Sequence, residues 1–306
     1  MPVSGFETPS DAVEQIPVNV RSEVDALKTV VMCWANPFRI NLSFIASSMD
    51  PSVWEQFRHN TWKYYRYKRV REQQRRLAEV FRDHGASVLF LDNLPGLVTQ
   101  HYTRDIAFCI DDIFFVARMG TRYRVTEQRA LHGLFPRLAK VARLDRGRIE
   151  GGDVMLHGDK VLVGLGEATD MEGVEALRRK LGELGNPREV VPIPFAHRGV
   201  IHLDTKLNIV GENVALFSRN SFPADTVRWL EQEFDLVDAT DEETRGVQIN
   251  TFALGGNRVI VQEQGERLAK RIQQKGLTPI PLDYSEVTKL PGSFRCTTLP
   301  VERATS

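Results

Sequence analysis

Cysteine is scarce in this 306-residue sequence: there are three, Cys33, Cys109 and Cys296, far apart and in no CxxC pair. An odd, widely spaced set argues against a disulfide framework and against a structural zinc site. Free thiols persist best in a reducing compartment, so a cytoplasmic location is expected. Net charge is missing as well. Forty basic residues balance forty acidic ones, so the chain as a whole exerts no pull on nucleic acid or an anionic membrane, and electrostatic recognition must be local. No window approaches eighteen uninterrupted apolar residues, which excludes the pattern of a transmembrane helix. The opening stretch, MPVSGFETPSDAVEQIPVNV, has neither the basic start nor the apolar centre of a secretory signal. No Pro- or Ser-rich linker follows residue 25, so the expectation is an extension over residues 1–24 and one domain over 25–303.

What is present is the ordinary mixture of a soluble globular chain, 42% hydrophobic and 26% charged. Strand-like runs at 28–33, 87–91, 106–117, 153–163, 206–217 and 259–262 are rich in Val, Ile, Leu and Phe, with a turn expected at 157–160. Between them, apolar residues at helical spacing mark a first helix within about 70–84 through Leu77, Val80 and Phe81. Val174, Leu177, Leu181 and Leu184 mark another, Val227, Leu230 and Phe234 a third, and Leu268 and Ile272 the last. Helix starts near residues 70, 125, 171, 223 and 264 recur at a regular interval, as in a radial or stacked repeat. A doubly wound parallel sheet is the rival. It fits less well, because strand pairs joined by tight turns must pair antiparallel. Gly255-Gly256-Asn257 reads as one such turn, since no GK[ST] or GxGxxG follows it. Met119 and Gly120 read as a strand exit.

Five short polar segments sit where strands end or glycine turns begin: Tyr102-Thr103-Arg104-Asp105, Glu150-Gly151-Gly152-Asp153, His202-Leu203-Asp204, Asn250, and Gly292-Ser293-Phe294-Arg295-Cys296. Each falls in a different repeat, so a radial array would bring them around one cavity. A thiol beside an imidazole is an activated nucleophile, which nominates Cys296 and His202. Carboxylates are the natural bidentate acceptors for a planar guanidinium, which nominates Asp105 and Asp204 to grip it and Glu150 to orient its far side or the imidazole. His202 would protonate the departing nitrogen and then deprotonate an incoming nucleophile. Taken singly these signals are weak, because a lone internal cysteine is more often a small core residue. Cys33 and Cys109, in apolar strand runs, are assigned to that role. Cys296 stands in a polar, turn-like setting.

The ordered set TRD (Thr103–Asp105), EGGD (Glu150–Asp153), HLD (His202–Asp204) and GSFRC (Gly292–Cys296) resembles the guanidino-group-modifying enzymes: arginine deiminases, dimethylargininases and arginine amidinotransferases. The resemblance covers about residues 25–303. It implies an α/β fold, the five-bladed α/β propeller (pentein) of repeated strand-strand-helix-strand units, and a covalent amidino-thioether with no cofactor and no metal. It also implies Cys296 as nucleophile, His202 as general acid and base, and Asp105, Glu150 and Asp204 as guanidinium-binding carboxylates, with Arg124, Asn250 and Tyr102 as further substrate contacts. The chain lacks the helical insertion of typical deiminases between 119 and 148 and is nearer the dimethylargininases in size. HLD, however, is more like deiminases and amidinotransferases. The implied activity is a hydrolase of dimethylargininase or deiminase type acting on the guanidinium carbon of arginine or a small arginine-like compound, with an amidinotransferase as the alternative. Relatives often carry a carboxylate-binding Arg where this sequence has Ala168, while Arg124 falls where a second such Arg is expected. The substrate is therefore expected to differ from plain L-arginine. Pro291, where relatives usually have glycine, is expected to stiffen the cysteine loop.

Residues 58–76 are strongly basic with Trp62, Tyr64, Tyr65 and Tyr67 interleaved. That composition suits single-stranded nucleic acid and supplies a distant alternative, a nucleic-acid-binding protein. A solvated helix with aromatics beneath arginine stems explains it better, so neither nucleic acid nor membrane is expected as a partner. Homo-oligomer formation is left open. The loop Trp34-Ala35-Asn36-Pro37-Phe38 is a candidate lid or specificity element.

Overall fold

The computed structural model describes residues 14–37, 65–97, 99–290 and 292–304. Among them fifteen strands form five three-stranded sheets. The first sheet joins β15 (Leu299–Arg303) to β1 (Leu27–Met32) and β2 (Ser87–Phe90). The second holds β3 (Ala107–Ile110), β4 (Ile113–Val116) and β5 (Val141–Arg143), and the third holds β6 (Val154–His157), β7 (Lys160–Leu165) and β8 (Glu189–Pro194). The fourth holds β9 (Leu207–Ile209), β10 (Val214–Phe217) and β11 (Asp235–Asp238), and the fifth β12 (Phe252–Gly255), β13 (Arg258–Gln262) and β14 (Thr278–Leu282).

One pattern repeats in all five. The first strand pairs antiparallel with the middle strand, and the middle strand pairs parallel with the third. A hairpin turn suffices for the antiparallel pair; the parallel pair needs a crossover. The crossovers are α1 (Tyr67–Asp83), a 3-10 helix (Arg122–Gly133), α2 (Met171–Glu183), α3 (Ala224–Glu233) and α5 (Glu266–Gln274), while the short α4 (Asp241–Arg245) links the last two sheets. These starts lie within three residues of those expected from sequence. The β12–β13 hairpin turns through Gly256 and Asn257, both at positive φ, as two-residue hairpin turns require.

Burial falls from the first strand outward. β3, β9 and β12 are buried throughout, whereas β2, β5 and β14 are mostly exposed or half-buried. The core lies between neighbouring sheets. One cluster joins Val31 and Leu299 to Phe114 and on to Val161; another joins Met155 and Leu162 to Leu207 and Phe217. A third joins Leu216 and Val237 to Val259, and the last joins Leu27 and Val30 to Phe252 and Ile260. Each sheet thus packs on the next until the fifth returns to the first. This closed ring is the five-bladed α/β propeller expected from the sequence.

Two runs read as single strands, 106–117 and 206–217, are each two strands folded back on a turn. The boundary between residues 24 and 25 is no break in packing. Ile16 and Val20 are buried, and Val20 bridges Asp111 through paired backbone hydrogen bonds. In the candidate lid, Trp34 stacks on Phe90 with ring centroids 4.2 Å apart, and the backbone of Ala35 is held by the Gln74 side chain at 2.9 Å. Phe38, Pro291 and residues 58–64 of the basic stretch, with Trp62 and Tyr64, lie outside the described residues. In its described part, Arg75 is paired with Glu72, Arg66 with Glu286, and Arg71 lies over the Tyr67 ring. Among the described residues no helix is long and apolar enough to cross a membrane.

Candidate active site

Every polar segment singled out above comes immediately before the first, innermost strand of a sheet: 102–105 before β3, 150–153 before β6, 202–204 before β9, Asn250 before β12 and 292–296 before β15. The five segments are hydrogen-bonded into a circle. Gly151 N–H donates to Asp105 O at 3.1 Å, Leu203 N–H to the Asp153 carboxylate at 2.8 Å, and the Asn250 amide to Asp204 O at 3.0 Å. Ser293 N–H donates to Asn250 Oδ1 at 3.2 Å, and Arg104 N–H closes the circle on Cys296 O at 3.1 Å. Residues almost two hundred positions apart are thereby fixed around one centre.

His202 stands between carboxylates. Its Nε2 is 2.9 Å from Glu150 Oε2 and its Nδ1 is 3.5 Å from Asp105 Oδ1. Burial works against a charge on the ring, but Asp105, Glu150 and Asp153 outweigh it and hold the imidazolium pKa up to about 10. For Glu150, burial raises the pKa but the hydrogen bond and charge of His202 prevail and lower it; its second oxygen accepts from Thr121 N–H at 2.8 Å. The ring can approach because position 152 has no side chain. A Cβ there would lie 2.7 Å from His202 Cγ and 2.8 Å from Asp105 Oδ1.

Cys296 is buried and unoxidised. Its Sγ lies 3.7 Å from each oxygen of Asp204. Its N–H and that of Ser293 both donate to Asn250 Oδ1, which fixes the loop bearing the sulfur. Burial, Asp204 and Asp105 push the thiol well above its ordinary pKa, so it is protonated in the unliganded site. Burial also lifts Asp204 up to about 6, against Arg295 and His202. No hydrogen bond joins Sγ to the imidazole. Both groups instead border the pair Asp105 and Asp204. Cys33 and Cys109 are buried thiols, each pushed up to about 12 chiefly by burial.

The three further residues expected on the substrate turn to protein groups. Arg124, only 5% exposed, pairs through Nη1 with Asp105 Oδ2 and through Nε with Glu127 at 2.8 Å, and Nη2 donates to Tyr102 O at 2.9 Å. The physical reason is that Asp105 and Glu127 are both buried within reach, and a buried guanidinium goes where its charge is compensated. Asn250 spends its amide on the two loops just described. Tyr102 donates its hydroxyl to Val287 O at 3.4 Å, and its ring covers Gly292, where a Cβ would lie 2.6 Å from Tyr102 Cε1. Asp105 Oδ1 is buried without a hydrogen-bond partner. It faces the His202 ring, whose Nδ1 is 3.5 Å away. Ala168 is buried, with its carbonyl against Gly120.

Several participants escaped the sequence reading. Asp153 holds the His202 loop while accepting from the Thr169 hydroxyl at 2.6 Å; its place in EGGD was visible, its partner was not. Arg295, inside GSFRC, is buried against Asp204, with Nε 3.7 Å from Oδ2, and is held from behind by Glu23. Nothing in the sequence distinguishes Glu23 from a surface glutamate. Among the described residues no group of three or more His, Cys, Asp or Glu is arranged to hold a metal ion.

Comparison with known proteins places these features. The profile of the arginine deiminase family matches residues 35–236. The uncharacterised protein YkgA of Bacillus subtilis (strain 168) is 28% identical over 285 residues, covering 92% of this chain and 94% of the relative. An arginine deiminase of Mycobacterium avium (strain 104) is 28% identical over 262 residues, covering 73% of this chain but only 64% of that protein's length. Among solved structures, SxtG, an amidinotransferase of the saxitoxin biosynthetic pathway from Microseira wollei, superposes with a TM-score of 0.78 at 18% identity, over 95% of this chain and 98% of that one.

Proposed function

Because the chain belongs to the arginine deiminase family, within the superfamily of guanidino-group-modifying enzymes, we propose that it hydrolyses a guanidino compound through a covalent amidino-thioether at Cys296. The observation that carries this reading is the thiol in contact with both oxygens of Asp204 in the same ring of loops as an imidazolium braced by Glu150 and Asp105.

The chemistry follows from the charges. Asp204 and Asp105 take a guanidinium by its N–H groups. That cation offsets the two carboxylates that keep the thiol protonated, so the thiol gives up its proton to solvent when substrate is present. The thiolate sulfur bonds to the guanidinium carbon, giving a neutral tetrahedral adduct. His202 gives its proton to one nitrogen, the carbon–nitrogen bond breaks, and ammonia or an alkylamine leaves. Neutral His202 then takes a proton from water as its oxygen attacks the amidino carbon. Collapse expels the sulfur, yielding a ureido product, and a proton returns to the thiol. An amine attacking in place of water would transfer the amidino group.

The substrate we propose is a guanidine without a free α-amino-acid end. Ala168 offers no cation for a carboxylate, and Arg124 already compensates Asp105 and Glu127. Absence of one charged bidentate partner weakens carboxylate recognition by roughly 1.5–3 kcal/mol. The test is a panel of L-arginine, methylated arginines and non-amino-acid guanidines, with ureido product, ammonia and alkylamine measured with and without glycine as acceptor. Ureido product from a non-amino-acid guanidine, abolished in Cys296→Ser, supports the reading. Clear preference for L-arginine refutes the substrate class, and activity surviving in Cys296→Ser refutes the mechanism.

A further inference from the structure

Directly behind the nucleophile lies a buried ionic chain that the steps above do not use. Arg295, 3% exposed, turns the terminal nitrogens of its guanidinium away from the site: Nη1 and Nη2 hold the two oxygens of Glu23, and Nη2 also donates to Val154 O at 2.8 Å. Its Nε faces the site, 3.7 Å from Asp204 Oδ2, and makes no hydrogen bond. Arg295 is itself a guanidinium, placed beside a carboxylate whose proposed task is to grip one. Its chemistry is that of the substrate. Its far edge is engaged by Glu23 and by Val154 O.

We propose that Glu23 is a positioning residue for the reaction at Cys296: by holding the far edge of the Arg295 guanidinium, it stops that cation from pairing fully with Asp204. Asp204 stays open to substrate and keeps its contact with the thiol. The substrate half of this statement rests on the proposed function; the thiol half does not. The surroundings agree. Burial opposes ionisation of Glu23, but Arg295 and Arg104 take its pKa down to about 2, so it remains an anion across the working range. Asp204 is faced by Arg295, His202, Asp105, Arg104 and the Cys296 thiol, and of these cations Arg295 bears on it most. Arg303 adds positive charge on the far side of Glu23. Glu23 is supplied by the segment before β1, about 270 residues from the cysteine it serves.

The experiment is alkylation of Cys296 by iodoacetamide as a function of pH, quantified on the Cys296 peptide by mass spectrometry, with unfolding midpoints recorded for every variant. In Glu23→Gln, Arg295 turns onto Asp204 and adds an uncompensated positive charge beside the sulfur, so the profile moves to lower pH by about one unit. Glu23→Asp, which keeps the charge, falls between this variant and wild type. A buried unpaired cation can unfold the chain, so the neutral pair Glu23→Gln/Arg295→Gln carries the same test in the opposite direction. There Asp204 loses its cation and the profile moves above wild type. With a turned-over guanidine in hand, Glu23→Gln raises KM about tenfold with a smaller effect on kcat. A purely structural glutamate would lower the unfolding midpoint and leave the alkylation profile in place. If the folded Glu23→Gln profile, or that of the neutral pair where the single variant does not fold, coincides with wild type, the proposal is overturned. A wild-type protein that turns over no guanidine defeats the proposed function and leaves the alkylation result to decide this one.

Discussion

Asp204 sits with both oxygens 3.7 Å from the Cys296 Sγ. Burial and then its charge hold the thiol protonated, and in the proposed reaction the same charge draws the guanidinium in. Burial raises its pKa to about 6, with Arg295 and His202 opposing, so it is an anion above that pH and takes a proton below it. Guanidine affinity of Cys296→Ser, measured by calorimetry, is therefore expected to be constant above about pH 7 and to weaken as pH falls through 6. Asp204→Asn should bind weakly at every pH and show no such slope. An affinity that ignores pH in this range would remove Asp204 from the binding site. Gly152 tests the other half of the centre. Its missing Cβ is what lets His202 and Asp105 meet, so Gly152→Ala should displace the ring, destabilise the fold by roughly 1–3 kcal/mol and reduce kcat/KM by about 100-fold. Near-normal kcat/KM in this variant would mean that the ring has slack the structure does not display.

At the scale of elements, the candidate site is made by loops that enter the first strands, and Asn250 is the clearest case. One side chain accepts from two backbone N–H groups of the cysteine loop and donates to the carbonyl of Asp204. Asn250→Ala leaves those three buried groups unpaired and should cost about 2–4 kcal/mol. The expected readout is a lower urea midpoint together with a loss of kcat larger than instability explains at 25 °C; retained kcat in a folded variant would reduce Asn250 to a spacer. Such loops explain which parts of the molecule were legible in sequence. Helices α1, α2, α3 and α5 were, because apolar stripes such as Val174, Leu177 and Leu181 in α2 are buried; the short α4 was not. Most inner and middle strands were, because runs such as Ile113–Val116 are buried throughout; the inner strands β12 and β15 were not. The outer strands β5, β8, β11 and β14 were not. They are partly exposed, and β8 and β14 carry Pro192, Pro194, Pro279 and Pro281, residues that signal loops and are tolerated only at a sheet edge. The motifs disclosed which residues meet at the centre, whereas the inward turn of Arg124 and the reach of Glu23 depend on contacts across the ring that no local pattern encodes.

For the whole molecule, closure is the decisive feature, because the strand that completes the ring also carries the Cys296 loop at its entrance. β15 pairs antiparallel with β1 from Leu27 opposite Arg303 to Val31 opposite Leu299. Leu299 and Val301 are fully buried, and the Arg303 guanidinium lies 5.2 Å from the centre of the Phe252 ring while donating to Ala253 O at 3.0 Å. The first and fifth sheets are thus tied together through the chain's last strand, and Cys296 sits three residues upstream of it. If the ring folds as one cooperative unit, a defect in β15 must be felt by the active site and by the global transition together. Val301→Ala removes two buried methyl groups and should cost about 2 kcal/mol. Activity loss and global unfolding are then expected to follow the same urea curve at a lower midpoint. Ile280→Ala, in the half-buried edge strand β14, should move that common curve by less. Activity that disappears well before the global transition in Val301→Ala would show that β15 detaches locally, and that closure serves the site without holding the ring.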